Sequence, residues 1–151
     1  RFTKKNKAHI NNLISKLLND QKLAMLSTQS NGQPYASLVA IACSNDLRFL
    51  YFVTPRTTRK FNNIKKDGRI ALLITSSTNR ESDFHESMAV TVVGSAEEIS
   101  GLEKEAAMSL YIAKHPYLED FVRSPTCALV KVQARSYILV SNFQQVTELH
   151  I

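Results

Sequence analysis

The segment Thr126 to Val140 constrains the fold more than any other, because apolar and polar residues alternate along it over an unusual length for a strand. Ala128, Val130, Val132, Ala134, Ser136, Ile138 and Val140 fall on one face, while Lys131, Gln133 and Arg135 fall on the other. A strand this long fits a curved course around a barrel. Shorter strands precede it. Leu23 to Gln29 and Pro34 to Cys43 read as a hairpin closed by Asn31-Gly32, with Pro34 tolerated at a strand start. Ser44-Asn-Asp46 turns the chain into Leu47 to Thr54, which predicts an antiparallel meander of three strands. Arg69 to Thr75 and Met88 to Ile99 bring the expected count to six.

Helices are predicted at Ala8 to Asn19, with Ile10, Leu13, Ile14, Leu17 and Leu18 as an apolar stripe, and at Gly101 to Lys114, with Leu102, Ala106, Leu110 and Ala113 on one face. His115-Pro116 ends the second of these. Tyr117 to Arg123 adds a short helical turn, and Ser76 to Ser87 is polar without periodicity and reads as a mobile loop. The sum is mainly β with helices (α+β): an antiparallel barrel with helices at its ends, as one domain over residues 1–151.

The most informative chemistry lies in Tyr51-Phe-Val-Thr-Pro-Arg-Thr-Thr-Arg-Lys-Phe61. Pro55 ends a strand, and Thr57 or Thr58 caps a helix running to about Lys66. Arg59 and Lys60 then stand in the first helical turn, where the helix dipole disfavours cations by roughly 0.3 to 1 kcal/mol each. A bound anion removes that conflict. Free backbone N–H groups, threonine hydroxyls and a guanidinium together suit a phosphate. A solvated basic face with an ordinary threonine cap is the bland alternative.

Composition excludes several classes. With 44% hydrophobic and 21% charged residues the chain is ordinary for a globular protein, and no run approaches the ~18 apolar residues of a membrane span. The basic start, Arg1-Phe-Thr-Lys-Lys-Asn-Lys, leads into no apolar h-region, so it is not read as a signal peptide and a cytoplasmic site is the default. The first residue is not methionine, which leaves an upstream signal open. Cys43 and Cys127 lie in apolar runs without C-x-x-C spacing and read as buried thiols. The net charge of +6 gathers in the N-terminal segment and in Arg56, Arg59, Lys60, Lys65, Lys66 and Arg69. The second cluster is compact, fitting one or two phosphates better than a nucleic-acid backbone. Neither nucleic acid nor a membrane is an expected partner.

The order helix, Asn-Gly hairpin, Pro34-Tyr-Ala-Ser-Leu-Val39, Leu50-Tyr-Phe-Val-Thr54, Thr58-Arg-Lys60, Asp67-Gly-Arg-Ile-Ala-Leu-Leu73 and Val90-Thr-Val-Val-Gly94 resembles the pyridoxamine 5'-phosphate oxidase-like family of FMN-binding split barrels. The resemblance covers nearly the whole chain. It implies a six-stranded antiparallel split β-barrel of Greek-key type, paired as a homodimer with FMN in the groove between subunits. It also implies that Thr58, Arg59 and Lys60 clamp the flavin phosphate, with Thr54, Arg56 and Thr57 beside it. Ser37, Leu38 and Val39 would line the isoalloxazine ring, and Phe143 and Gln144 would reach the flavin from the partner chain.

The departures are informative. Ser37 and Ala42 stand where the authentic oxidase has an arginine and a lysine, Ala89 stands where it has a glutamine, and there is no tryptophan. The oxidase's Arg-rich C-terminal substrate signature is missing as well, so oxidation of pyridoxine phosphate is not expected. The tail and the region Met108 to Val122 look more like an uncharacterised branch related to haem-utilisation split barrels. The expected function is flavin-dependent oxidation or reduction of an unknown small molecule, with no catalytic residue assigned. A haem-handling protein using His150 as ligand, a non-catalytic flavin carrier and a deazaflavin protein are the alternatives. His115, before Pro116, reads as a helix-end residue rather than a base, His9 and His85 carry no partner pattern, no metal ion is expected, and the flavin would carry the chemistry.

Overall fold

The computed structural model describes residues 4–142 and 144–151. Its elements are α1 (Lys4–Asp20), β1 (Leu23–Ser30), β2 (Gln33–Ala40), β3 (Ala42–Cys43), β4 (Phe49–Pro55), α2 (Arg59–Lys66), β5 (Arg69–Thr75), α3 (Asp83–Glu86), β6 (Ala89–Glu98), α4 (Gly101–Lys114), a 3-10 turn (Pro116–Leu118), α5 (Glu119–Arg123), β7 (Cys127–Ser141) and β8 (Gln145–His150). The strands form one antiparallel sheet in the order β2-β1-β5-β6-β7-β4-β3, with β8 added against β7. Its two ends belong to one stretch of chain. Gln33–Ala40 pairs with β1 and, one residue later, Ala42–Cys43 pairs with β4, so the sheet curls back on itself as a split barrel.

The expected six strands become eight segments. The predicted second strand breaks at Ile41, where the chain changes partner from β1 to β4, and the tail adds β8. The strand expected to begin at Leu47 begins at Phe49, because Leu47 takes a left-handed conformation (φ 63°) that closes the preceding turn. Tyr137, fully buried, donates its hydroxyl to the Leu47 carbonyl at 2.7 Å and holds that turn. The Asn31-Gly32 hairpin is as predicted, both residues having positive φ (52° and 80°).

Strand β7 also departs from its simple alternation. Val132 and Ala134 face inward as expected, but beyond them Tyr137 and Leu139 are buried instead of Ile138 and Val140. A bulge is responsible. Val93 opposes Ser136 whereas Gly94 opposes Ala134, which leaves Arg135 as the extra residue that inverts the phase. The polar stretch after β5 is organised too. The Asp83 carboxylate accepts the Thr78 and Arg80 N–H groups at 2.9 and 3.0 Å, which nucleates α3 and, with backbone donors as the leading cause, lowers its pKa.

Two apolar clusters hold the barrel. Leu26, Leu50, Phe52, Leu72, Val92 and Val130 fill its interior, closed at one end by Ile14, Leu17 and Leu18 of α1. Tyr51, Val53 and Leu129 point outward under α4 and α5, which is why β4 is buried on both faces. The buried face of α4 carries Ala107 and Tyr111; the predicted Leu102 is 85% exposed, because docking through the Tyr111 ring rotates the helix. The other outer face, on β1 and β2, stays uncovered, with Leu23, Met25 and Leu38 at 55%, 43% and 65% exposure. No helix of the described residues is long and apolar enough to cross a membrane.

The end of α4 closes the break at Ile41. Tyr111 donates its hydroxyl to the Ala40 carbonyl at 2.9 Å, and His115 Nε2 lies 2.7 Å from the Ile41 carbonyl. Lys114 Nζ donates to the Leu18 and Gln21 carbonyls at 2.7 and 2.8 Å, capping α1. His115 is fully buried, and burial first, then Lys114 and Lys22, push its pKa down against the opposing pull of the Ile41 carbonyl. It therefore stays neutral in the fold where the unfolded chain takes up a proton. That contribution to stability is complete above the unfolded value of about 6.5 and is lost as pH falls below it. A urea midpoint that drops between about pH 7.5 and 5, with a flatter dependence in His115→Gln, is the expected result; equal pH slopes in the two proteins would contradict it.

Candidate functional site

The basic turn forms where β4 meets α2. Pro55 closes the ladder opposite Cys127, and Thr58 takes an extended backbone (φ −76°, ψ 153°) and caps the helix by accepting the Phe61 N–H at 3.3 Å. Thr54 is only 1% exposed. Its hydroxyl lies 2.8 Å from that of Thr58, and both lie 3.1 Å from the Pro55 carbonyl. Thr54 thus orients the cap from beneath.

Above this cap the backbone N–H groups of Thr57, Arg59 and Lys60 find no acceptor among the described residues. Arg56, Arg69 and Lys131 each have a carboxylate partner, whereas neither Arg59 nor Lys60 has one among the described residues. Two unpaired cations and three open donors share the electropositive start of an eight-residue helix. Such a set has the charge and the donors that an anion would need.

Arg59 faces an open groove of about 590 Å³ lined also by Ser30, Gln33, Pro34, Tyr35 and Asn63. Its guanidinium lies 5.2 Å from the Tyr35 ring centroid. Asn63, 6% exposed, donates to the Thr28 hydroxyl at 3.0 Å and locks α2 to β1. Gln29 makes a second tie to Asp67 at 2.6 Å, and Arg69 holds that carboxyl down at about 2. The sequence did not single out Tyr35, Asn63 or Thr28. A buried asparagine between Phe61 and Ile64 on the apolar side of α2 was the available signal.

The predicted site residues are only partly assembled within one chain. Thr54, Thr57, Thr58, Arg59 and Lys60 come together. Arg56 turns away, its guanidinium bound to Glu98 and, at 2.8 Å, to the Pro125 carbonyl. On β2, Val39 points into the core and Leu38 points out; the Ser37 hydroxyl is buried and finds no hydrogen-bond partner among the described residues. Because β2 ends the strand order, its outer backbone edge along Ser37 to Val39 carries no ladder partner among the described residues. Gln144 lies at the opposite end of β7 from Thr54, in a separate cavity of about 190 Å³ with Asp83, Phe84 and Val140. Phe143 lies outside the described residues. His150 sits on β8, exposed, with Nε2 3.6 Å from Glu148. No group of three metal-ligating side chains occurs among the described residues.

Solved structures share this architecture. A haem binding protein from Mycobacterium smegmatis superposes with a TM-score of 0.78 at 15% identity, over 90% of this chain and 56% of the other, so the chain spans little more than half the length of that relative. A FAD-binding protein from Mesorhizobium loti gives 0.68 at 17% identity, covering 84% of this chain and 89% of that one. A protein related to general stress protein 26, of the pyridoxinephosphate oxidase family, from Clostridium acetobutylicum gives 0.69 at 16% identity, covering 99% and 97%. At these identities the likeness is one of fold. No curated protein matches the chain in sequence. The profile described as pyridoxamine 5'-phosphate oxidase, however, matches residues 10–141, which span the hairpin, the basic turn and the long strand alike: the chain belongs to the pyridoxamine 5'-phosphate oxidase family.

Proposed function

We propose that the protein binds FMN as a homodimer and uses it to oxidise or reduce a small molecule. The observation that carries this is the start of α2, where Arg59 and Lys60 have no carboxylate partner among the described residues and three backbone N–H groups stand open. A flavin phosphate would take those donors together with the Thr58 hydroxyl, which Thr54 orients from below. The backbone edge of Ser37 to Val39, which has no ladder partner among the described residues, offers hydrogen bonds to a heteroaromatic ring. When bound, the flavin supplies the electron transfer, and the chain binds, orients and shields it.

The uncovered apolar face around Met25 and Leu38 supports pairing through that side of the barrel. Pairing there would also account for Gln144, which would serve the partner's flavin rather than its own chain's. The test is a titration with FMN followed by absorbance and size-exclusion chromatography. Flavin bands on a dimer are expected, and Leu38→Asp is expected to give a monomer with weakened FMN binding. A Soret band lost in His150→Ala, with no flavin uptake, would replace this reading with haem binding. A wild-type monomer would remove the interface.

A further inference from the structure

Tyr35 stands on β2 on the same face as Ser37 and Val39, and across the hairpin it opposes Thr28. Thr28 is the residue that Asn63 grips from α2, and Arg59 lies one helical turn before Asn63. With the second tie between Gln29 and Asp67, the hairpin and the helix are fixed so that the Tyr35 ring and the Arg59 guanidinium must meet. The contact places the carbon of the guanidinium over the Tyr35 ring. Its N–H donors lie in the plane and remain open to oxygens along the groove. An exposed arginine sacrifices rotamer freedom when it grips an anion, whereas one already laid over a ring has surrendered part of that freedom beforehand. Lys60, next along the helix, has no ring over or beneath it among the described residues.

We propose that Tyr35 is a positioning residue that presents the Arg59 guanidinium edge-on to the phosphate end of the ligand, and so sets the preference for a phosphorylated flavin over its unphosphorylated counterpart. This rests on the flavin reading above. The experiment titrates wild type, Tyr35→Phe and Tyr35→Leu with FMN, riboflavin and inorganic pyrophosphate. Tyr35→Leu is expected to bind FMN about 3- to 5-fold more weakly, the size of an exposed cation–π contact, with riboflavin affinity unchanged. Tyr35→Phe, which keeps the ring face, is expected to match wild type. Equal weakening toward FMN and riboflavin would overturn the proposal, since the ring would then be only part of the wall or of the fold. Equal damage in Tyr35→Phe would overturn it too, by assigning the effect to the hydroxyl. Should wild type take up no flavin, the flavin reading fails by itself and pyrophosphate decides the pair: weaker binding in Tyr35→Leu alone supports it, and equal affinities across the three proteins overturn it.

Discussion

Arg59→Ala is expected to weaken FMN binding by about 1.5 to 3 kcal/mol, the scale of a lost hydrogen bond to a charged group, which is about 12- to 150-fold in Kd. The large value follows from the geometry around it. With no carboxylate to pair with among the described residues, Arg59 is held near an electropositive helix start by local structure, so a phosphate there gains the full attraction without first breaking an ion pair. Arg59→Lys keeps the charge and gives up the two-pronged donor, so its affinity should fall between the two. Riboflavin, having no phosphate, should bind both variants as it binds wild type, and added salt should weaken FMN alone. Isothermal titration at two salt concentrations separates these outcomes, and FMN affinity unchanged in Arg59→Ala would take that residue out of the site.

Gly94→Ala is expected to cost the fold about 3 kcal/mol, near the top of the range for forcing extra volume into a packed site. A Cβ at this position would lie 2.2 Å from the Gln133 carbonyl oxygen, 3.0 Å from its carbon and 3.2 Å from Ala134 Cα. All three atoms are backbone of β7 at the bulge, so no flexible side chain can swing aside. Relief requires β6 and β7 to separate where Arg135 is already looped out of register. The measurement is the urea midpoint at constant slope. Gly32→Asn is the control: that glycine has φ +80°, a Cβ there would meet nothing within 4 Å, and asparagine tolerates the left-handed region. A midpoint for Gly94→Ala as high as that of the control would contradict the close approach of the two strands.

What could be read from the sequence was local in origin. Asn31-Gly32 demands positive φ and so announces the hairpin, and Pro55 followed by Thr58 stops a strand and caps a helix without help from the rest of the chain. The basic turn at the start of α2 was legible for the same reason, since two cations in a first helical turn conflict with the helix dipole wherever that helix packs. Features set by distant partners were hidden. Leu47 adopts its left-handed turn under the hydroxyl of Tyr137, ninety residues away. The phase of β7 inverts at Arg135 because β6 fixes the register on either side, and α4 turns Leu102 outward because Tyr111 reaches Ala40. Tyr35 was hidden likewise, since bonds between distant residues, Thr28 to Asn63 and Gln29 to Asp67, bring it to Arg59.

The seam at Ile41 determines what counts as the minimal folding unit. All the strands up to β6 lie before Gly101, yet the carbonyls of Ala40 and Ile41 and the last turn of α1 are satisfied by Tyr111, His115 and Lys114. A chain that lost this helix alone would leave four main-chain oxygens without their donors at the very place where the sheet must meet itself. The helix behaves as a clasp, and the cylinder it fastens cannot be inherited without it.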